Sequence, residues 1–427
     1  MKIGILGLGY VGLANAAVLI NEGHQVVGYD INEEKVNSLS NGSYPFDEGV
    51  HSEVVERKAN KLLFTNHIEE LKNLDGYILS LPTPEKEDGS CNVSYMNKAI
   101  EDLLPLLPKE MISYLIVRST VPVGYADTLQ QKIKNPNIHI ISMPEFVREG
   151  STFYDEEDPD RFVIGVSNDS DFEFIRALRK KAYRKGVPFI QMNNASAELS
   201  KYAANSFLAM KISYINSLAR LADKTAADIK DVAIGMGSDR RIGKAMLGAG
   251  IGYGGSCFPK DTKAIVSLAK DKGVSLPLIE DAITINNEQP FYFLDKAKEL
   301  LGTFKDKTIA IFGLAYKNGI HDIRSSLSSV IIEALLKEGA VLRCFDSSVY
   351  AMKAMKEKFP NIRCFSTMGL TLEDADALMI LTEDKRFFGL KDGPYLSKMR
   401  GDLIFDGRNL FEKEDFPLYR YHSIGRK

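Results

Sequence analysis

Short apolar runs alternate with helix-compatible stretches in the first part of the chain. The runs that predict β-strands are residues 2–6, 25–29, 76–81, 115–117 and 138–142, with a helix-compatible stretch at 13–21. Strands that alternate with helices are typical of a parallel sheet covered by helices on both faces. We therefore expect an α/β domain in this part of the chain.

The middle of the chain predicts long helices. Residues 195–230 contain neither proline nor glycine, and their apolar residues recur at helical spacing, which predicts one long helix or a helix with a single break. A long helix between two α/β domains also offers an apolar face to a second copy of the chain. A homodimer through this central helix is therefore the expected assembly.

The alternation of strands and helices resumes after Gly302. Strands are predicted at 307–312, 341–345, 377–381 and 403–405, and a helix at 325–336. Asp346 directly follows the second of these strands, just as Asp30 directly follows residues 25–29. The segment after Gly302 therefore resembles a degenerate second copy of the first α/β domain. The predicted fold is α/β, with two Rossmann-like doubly wound parallel-sheet domains joined by a long central helical region. We place the domain boundaries at 1–194, 195–300 and 301–427.

Composition and charge narrow the function classes. The 427 residues carry a net charge of −3 and no basic block, so we expect no nucleic-acid partner. The apolar stretch 3–20 contains four glycines, which argues against a membrane segment, and no other apolar run approaches membrane length. Cysteines without a CxxC pair indicate neither disulfides nor a metal cluster and favour a reducing, cytoplasmic compartment. They are Cys91, Cys257, Cys344 and Cys364.

A glycine turn joins the first predicted strand to the first helix. Gly7, Gly9 and Gly12 form GxGxxG after a strand and before a helix, and the next strand ends on Asp30. These glycines allow a tight turn, a close approach to a pyrophosphate and close packing of the helix. A carboxylate at Asp30 would bind the ribose hydroxyls and repel a 2′-phosphate, so the segment predicts an NAD site.

Loops rich in proline and hydroxyl side chains follow three of the predicted strands. They begin at Pro82, Arg118 and Met143, and all lie at the carboxyl edge, where open α/β sheets bind ligands. The turn of the second copy instead carries Lys317 and Arg324, which suit the phosphates of a substrate. A structural repeat with ordinary surface charges is the alternative for that turn.

One cysteine has the surroundings of a nucleophile. Residues 250–262 place four glycines before Cys257, and Pro259 opens a predicted helix that runs to Lys270. The helix N-terminus and Lys260 would both lower the pKa of the thiol. A thiolate can add to an aldehyde, and loss of hydride to NAD then gives a thioester that water hydrolyses to an acid.

Seven segments together resemble the UDP-glucose 6-dehydrogenase family. They are GLGYVGL, PTP, STVPVG, MPEFVREG, the helix with Lys201 and Asn205, GYGGSCFPKD and GLAYKNGIHDIRSS, and they span nearly the whole chain. The resemblance implies oxidation of UDP-glucose by two NAD to UDP-glucuronate. It makes 1–194 an NAD-binding domain, 195–300 a dimerisation and catalytic-loop region and 301–427 a UDP-sugar-binding domain.

The resemblance also assigns catalytic roles. It makes Cys257 the nucleophile, Lys201 and Asn205 the groups that stabilise the developing oxyanion, Asp261 the carboxylate that orients or activates water, and Glu145 the base for thioester hydrolysis. Thr120 is assigned to the same centre. Cofactor contacts are implied for Gly7, Gly9, Tyr10, Val11, Gly12, Asp30, Lys35, Thr83, Thr120, Glu149 and Arg324. Substrate contacts are implied for Glu145, Phe146, Val147, Arg148, Glu149, Lys201, Asn205, Arg241, Tyr253, Gly254, Gly255 and Lys317.

Three alternatives accompany this interpretation. UDP-N-acetylhexosamine dehydrogenases, acting on UDP-ManNAc or UDP-GlcNAc, share the fold but typically have a GxGVGGHC-type loop, where this chain has Tyr253 and Ser256. A β-hydroxyacid-type or 6-phosphogluconate-type dehydrogenase needs no cysteine. A protein that binds NAD without turnover would be expected to have lost the catalytic residues.

The resemblance also implies that an arginine reaches the sugar from the neighbouring subunit. Arg240 and Arg241 are adjacent in this chain, which leaves open which of them does so.

Overall fold

The computed structural model of the chain describes residues 1–44 and 59–426. Contacts divide the chain into two compact units, Met1–Ala204 and Asn205–Lys427. None of the described helices is both long and apolar enough to cross a membrane.

The described part of the first unit contains an eight-stranded sheet. Its strands are β1 Lys2–Leu6, β2 Gln25–Tyr29, β3 Leu62–Thr65, β4 Gly76–Leu79, β5 Ser113–Val117, β6 Ile138–Ser142, β7 Phe162–Gly165 and β8 Phe189–Met192. The order across the sheet is β3-β2-β1-β4-β5-β6-β7-β8. Strands β1 to β6 are parallel, and β7 pairs with β6 in the antiparallel sense. The chain changes direction across the sheet beside β1, which opens a crevice at the carboxyl ends of β1 and β4.

Helices cover both faces of this sheet. They are α1 Tyr10–Glu22, α2 Glu33–Ser40, α3 Ser94–Leu103, α4 Tyr125–Lys132, α5 Thr152–Glu157, α6 Asp169–Leu178 and α7 Lys180–Arg184. Successive strand residues point to opposite faces, so Ile3 and Ile5 join one apolar core and Leu6 joins another. Helix α1 ends at Gly23, whose left-handed backbone satisfies the last carbonyls.

Long helices follow the first sheet. They are α8 Asn194–Ala222, α9 Ile229–Gly237, α10 Phe258–Asp271 and α11 Pro277–Leu301. The prediction of a helix with one break is confirmed, because α8 and α9 are separated by a short loop. Ile215 and Ala219 of α8 and Phe293 of α11 belong to the largest apolar core of the second unit.

The second unit contains a six-stranded sheet in which all neighbouring strands are parallel. Its strands are β9 Thr308–Phe312, β10 Val341–Phe345, β11 Arg363–Cys364, β12 Ala377–Ile380, β13 Leu403–Asp406 and β14 Arg420–Ser423. Its helices are α12 Leu327–Lys337, α13 Val349–Lys358, α14 Met368–Leu372 and α15 Gly389–Asp392. The order β11-β10-β9-β12-β13-β14 repeats that of β3-β2-β1-β4-β5-β6, which confirms the predicted second Rossmann-like sheet.

In both sheets, an aspartate after the second strand accepts hydrogen bonds from the turn after the first strand. Asp30 accepts the N–H of Leu8 at 2.9 Å, and Asp346 accepts the N–H groups of Leu314 and Ala315 at 2.6 and 3.1 Å. In both sheets an acidic side chain therefore braces the turn after the first strand. The turns differ in length, because α1 begins at Tyr10 whereas α12 begins only at Leu327.

Candidate active site

The first glycine turn has the shape of a dinucleotide cradle. Gly7 has a φ of +92°, and a Cβ at this position would lie 2.4 Å from the Ser80 carbonyl oxygen. A Cβ at Gly12 would lie 1.9 Å from the Gly7 oxygen, so both positions require glycine. Gly9 caps α1 and has open space in the direction of a Cβ. The open backbone at the helix N-terminus fits the pyrophosphate of NAD.

Asp30 is buried at the end of β2 and has three donors. Besides the N–H of Leu8, its carboxylate accepts the N–H of Asn32 at 3.0 Å and the ammonium of Lys35 at 2.7 Å. Carboxylate oxygens accept more than one hydrogen bond each, so these contacts orient Asp30 without exhausting it. Lys35, predicted to contact the cofactor, is in this structure the ionic partner of Asp30.

Three predicted site residues follow neighbouring strands of the first sheet. Thr83, Thr120 and Glu145 come after β4, β5 and β6, which are adjacent in the sheet, and all three are buried. The carboxyl ends of parallel strands meet at one edge of a sheet. The structure thus brings the three proline-rich loops to one edge, as predicted.

Glu145 and Lys201 form a buried ion pair. The Lys201 ammonium lies 2.9 Å from Glu145 Oε1, and the N–H of Val147 donates to Oε2 at 2.8 Å. Burial alone would raise the pKa of Glu145, but the Lys201 ammonium, the Val147 N–H and the Arg118 guanidinium outweigh it and hold the pKa below its usual range. Glu145 is therefore a carboxylate at neutral pH and can accept a proton.

The remaining residues of this loop are less enclosed. Phe146 is half-buried, with the Lys201 ammonium 5.4 Å from its ring centroid. Arg148 is exposed, and its guanidinium pairs with Asp155 at 2.5 Å. Glu149 is half-buried. Of the predicted substrate-binding residues in this loop, Glu145 is the buried one, and it forms an ion pair with Lys201.

Glu198 is a buried acid that the sequence analysis did not single out. Its carboxylate accepts the N–H groups of Gly124 and Ala126 at 2.6 and 2.9 Å and the hydroxyl of Ser142 at 3.1 Å. Burial raises the pKa of Glu198, although these three donors oppose that shift. Because Glu198 lies one turn before Lys201 on α8, these bonds fix the helix that presents the Lys201 ammonium.

Cys257 lies at the N-terminus of α10. It is the N-cap residue and is exposed, and its carbonyl accepts the N–H of Asp261 at 2.8 Å. The prediction that a helix begins beside Cys257 is confirmed, with Pro259 in its first turn. The first N–H groups of a helix favour negative charge, so this position suits a thiolate.

Asp261 connects the cysteine helix to α8. Its carboxylate accepts the amide of Asn205 at 2.6 Å and the ammonium of Lys260 at 2.5 Å, and the side chain is almost completely buried. The expected effect of Lys260 on the Cys257 thiol stays a prediction, and the structure adds Asp261 as an ionic partner of Lys260.

Buried amide side chains hold the glycine loop that precedes Cys257. Asn286 accepts the N–H of Tyr253 at 2.7 Å and donates to its carbonyl at 3.0 Å, and Gln289 donates to the Gly250 carbonyl at 2.9 Å. Arg408 donates to the Gly252 carbonyl at 2.8 Å. These residues were missed by the sequence analysis. Arg408 follows β13 at the predicted carboxyl edge, which was an available signal.

Close packing explains the glycines of this loop. A Cβ at Gly254 would lie 2.3 Å from the Ser325 carbonyl oxygen, and one at Gly255, where φ is +87°, would meet the Tyr316 ring at 2.6 Å. The Tyr253 ring is buried, and burial raises the pKa of its hydroxyl to about 12. The loop thus packs directly against the long turn of the second sheet.

The predicted cationic residues of the second unit are exposed. Lys317 and Arg324 lie in the long turn after β9, and the Arg324 guanidinium is 2.6 Å from Asp322. Arg241 pairs with Asp239 at 2.6 Å, and its side chain is 89% exposed. The neighbouring Arg240 is also exposed. The expected role of Arg241 or Arg240 toward a neighbouring subunit stays a prediction.

Three models of one family match consecutive parts of this chain. They are the NAD binding domain at residues 1–184, the central domain at 195–288 and the UDP binding domain at 310–413 of the UDP-glucose/GDP-mannose dehydrogenase family. The chain belongs to the UDP-glucose/GDP-mannose dehydrogenase family.

Full-length relatives in the UDP-glucose/GDP-mannose dehydrogenase family include UDP-glucose dehydrogenases and a UDP-ManNAc dehydrogenase. The chain is 35% identical over 437 residues to UDP-glucose 6-dehydrogenase TuaD of Bacillus subtilis strain 168, covering 100% of this chain and 93% of TuaD. The solved UDP-glucose dehydrogenase of Pyrobaculum islandicum is 29% identical, with a TM-score of 0.90 over 100% of this chain and 98% of that one. The UDP-D-ManNAc dehydrogenase of Pyrococcus horikoshii is 26% identical, with a TM-score of 0.86 over 100% and 99%.

The three matched domains each contain some of the candidate site residues. The chain is an NAD-dependent oxidoreductase of UDP-sugars. The NAD binding domain includes the glycine turn, Asp30 and Glu145. The central domain includes Lys201, Cys257 and their neighbours on α8 and α10. The long cationic turn of the second sheet falls within the UDP binding domain.

Proposed function

We propose that the protein is a UDP-glucose 6-dehydrogenase that oxidises UDP-glucose to UDP-glucuronate with two NAD. The observation that carries this proposal is the exposed thiol of Cys257 at the N-terminus of α10, in a loop braced by buried amides and one turn before Asp261. A simple alcohol dehydrogenase needs no such nucleophile. An aldehyde oxidation does, because the aldehyde must first become a tetrahedral adduct.

The first oxidation converts the C6 alcohol of the sugar to an aldehyde. NAD, when bound at the first glycine turn, supplies the hydride acceptor in both oxidations. The C6 hydroxyl passes its proton to a water aligned by the Asp261 carboxylate, and the chain stabilises the charge that develops on the C6 oxygen. The Lys201 ammonium and the Asn205 amide suit this role because they lie one turn apart on α8 and each carries N–H donors.

The second oxidation begins with the Cys257 thiolate. The sulfur forms a bond to the aldehyde carbon, and the carbonyl electron pair moves to oxygen, where Lys201 and Asn205 stabilise it. Loss of hydride from the same carbon restores the carbonyl and leaves a thioester on Cys257. The aldehyde is therefore never released.

Water then cleaves the thioester. Glu145 accepts a proton from water as the water oxygen bonds to the carbonyl carbon, the carbon–sulfur bond breaks and Cys257 leaves as thiolate. The low pKa of Glu145 keeps it in the carboxylate form that this step requires. Asp261, oriented by Asn205 and Lys260, would align the water. The released UDP-glucuronate takes its second carboxylate oxygen from this water.

UDP-glucose is favoured over the acetylated sugars by the relatives. Curated UDP-glucose 6-dehydrogenases reach 35% and 36% identity over the whole chain. Among the solved structures, the UDP-glucose dehydrogenase reaches 29% and the UDP-ManNAc enzymes reach 26%. Tyr253 and Ser256 in the cysteine loop also differ from the valine and histidine of the acetylhexosamine type. The proposed domains remain 1–194 for NAD, 195–300 for dimerisation and the catalytic loop, and 301–427 for the UDP-sugar. The cytoplasmic location stays a prediction.

Substrate and stoichiometry can be tested together. The protein is incubated with NAD and with UDP-glucose, UDP-GlcNAc or UDP-ManNAc in turn, and NADH is followed by absorbance. We expect turnover with UDP-glucose and two NADH for each sugar consumed. One NADH with accumulating free aldehyde would contradict the cysteine route. Turnover confined to an acetylated sugar would change the substrate and leave the chemistry intact.

A homodimer through α8 is the proposed assembly. Phe207, Tyr214 and Leu221 recur every seven residues along this helix, and their side chains are 56%, 52% and 60% exposed in the single chain. A seven-residue apolar repeat forms a stripe along one side of a helix. Such a stripe on a long helix favours a second copy of the same helix as its cover.

Charge placed on this stripe should separate the subunits. Phe207→Asp with Tyr214→Asp should convert a dimer to a monomer in light scattering coupled to gel filtration. Val349→Asp with Tyr350→Asp, at exposed apolar positions on α13, is the matched control and should leave the mass unchanged. A monomeric native protein, or a dimer that survives the α8 double variant, would contradict this assembly.

A further inference from the structure

Four buried charges form one network in the first unit. Arg118, Glu156 and Arg179 are almost completely buried, and Glu22 at the end of α1 is 5% exposed at its side chain. Arg118 lies 2.5 Å from Glu156 Oε2, Arg179 pairs with the other oxygen of Glu156, and Arg179 lies 3.2 Å from Glu22. The network holds two positive and two negative charges and is therefore balanced.

Arg118 also reaches the loop that carries Glu145. Its Nη1 donates to the Met143 carbonyl at 2.9 Å and lies 3.4 Å from the Pro144 carbonyl oxygen. These carbonyls follow β6 directly, and Arg118 itself follows the neighbouring strand β5. Pro144 has no N–H to hold it in a ladder. The guanidinium therefore supplies the donors that fix the backbone just before Glu145.

Stability does not account for this arrangement. Replacing a buried ion network by apolar side chains is often neutral or stabilising, because removing charges from water is costly. The Nε atom of Arg118 is in addition buried without a hydrogen-bond partner among the described residues, which is a further cost. A role in placing the Met143–Pro144 carbonyls accounts for an arginine here, since its planar fork can bond a carboxylate and a carbonyl at once.

We propose that Arg118 is a positioning residue, whose guanidinium holds the turn at Met143 and Pro144 so that the Glu145 carboxylate faces the water of thioester hydrolysis. The inference rests on the proposed function of Glu145 as the base of that step. Arg118 touches neither substrate nor cofactor in this proposal. Its positive charge also contributes to the low pKa of Glu145, which gives the role a measurable signature.

Two charge-balanced double variants distinguish a role of Arg118 in positioning Glu145 from a purely structural role of the ion network. Arg118→Met with Glu156→Gln removes one cation and one anion and takes away the donors to Met143. Arg179→Met with Glu22→Gln removes the same two charge types from the other end of the network and leaves the Arg118 contacts in place. Both are compared with Glu145→Gln, in which hydrolysis should stop after the two oxidations.

The readouts are the early NADH burst, the steady-state rate and its pH dependence. A positioned general base contributes roughly 10²–10⁴-fold to rate. The Arg118 double variant should keep the burst of two NADH per site, lose at least about tenfold in steady-state rate, and require a higher pH for activity. The Arg179 double variant should keep the native rate and pH profile.

Each other outcome is decisive. Equal losses of steady-state rate in the two double variants would show that the network is purely structural. The same conclusion would follow if the acid limb, meaning the fall in rate at low pH, were unchanged in the Arg118 double variant. If the Arg118 double variant does not fold, Arg118→Lys retains the charge without the planar fork, and a native steady-state rate in that variant would overturn the proposal. Absence of any Cys257 thioester in the native enzyme would instead overturn the proposed function, so the two failures are distinguishable.

Discussion

Cys257→Ser should leave the sugar nucleotide attached to the protein. A serine hydroxyl can add to the aldehyde when a base removes its proton, but the resulting ester is hydrolysed far more slowly than a thioester. The variant should therefore stall after the oxidations as a covalent adduct. Intact-protein mass spectrometry after incubation with NAD and UDP-glucose should show one added UDP-glucuronyl group per chain.

Two further variants make this result interpretable. Cys257→Ala has no nucleophile and should show neither adduct nor turnover to the acid. Cys364→Ser changes a half-buried thiol on β11 and should behave like the native protein. Near-normal acid formation by Cys257→Ala would make Cys257 a structural thiol. The aldehyde would then have to be oxidised as its hydrate, with Glu145 or Asp261 taking the proton.

The strands that sequence could predict are those with continuous apolar runs. β1, β2, β6 and β10 have the predicted bounds, because each belongs to a parallel sheet and is flanked by glycine, proline or acidic residues. β3, β7, β8, β11 and β14 were not predicted. The segments FIQM and RYHS of β8 and β14 are short and partly polar, as suits strands at a sheet edge. β7 has the buried apolar sequence FVIG, so one apolar run was also missed.

Some features of the candidate site could be predicted because they depend on neighbouring residues, whereas others depend on contacts between residues far apart in the sequence. The glycine turn and the start of α10 depend on neighbouring residues, so their positions follow from sequence. Lys201 with Glu145 and Asn205 with Asp261 each join residues 56 positions apart, and no periodicity reports such a contact. Asn286, which braces the cysteine loop, lies inside a long helix without a local motif. Its role depends on the tertiary packing alone.

Lys201→Met should remove activity and make stability strongly dependent on pH. Loss of one oxyanion donor typically costs roughly 10²–10³ in rate. The substitution also leaves the Glu145 carboxylate buried without its main counter-ion, which costs about 3–5 kcal/mol. In the native protein the pKa of Glu145 is lowered, so its charge stabilises the fold above the unfolded pKa of about 4.3, and that contribution is lost as pH falls.

The sign of this pH dependence reverses in the variant. Without Lys201, burial dominates and raises the pKa of Glu145, so the folded state binds the proton more tightly than the unfolded state and loses stability as pH rises. Urea unfolding of Lys201→Met and native protein between pH 4 and pH 7 should therefore show a deficit that widens toward pH 7. Lys201→Met with Glu145→Gln removes both charges and should recover most of the stability while remaining inactive. A deficit that is flat with pH would contradict the ion pair, and near-native turnover of Lys201→Met would show that Lys201 acts on Glu145 but not on the substrate oxygen.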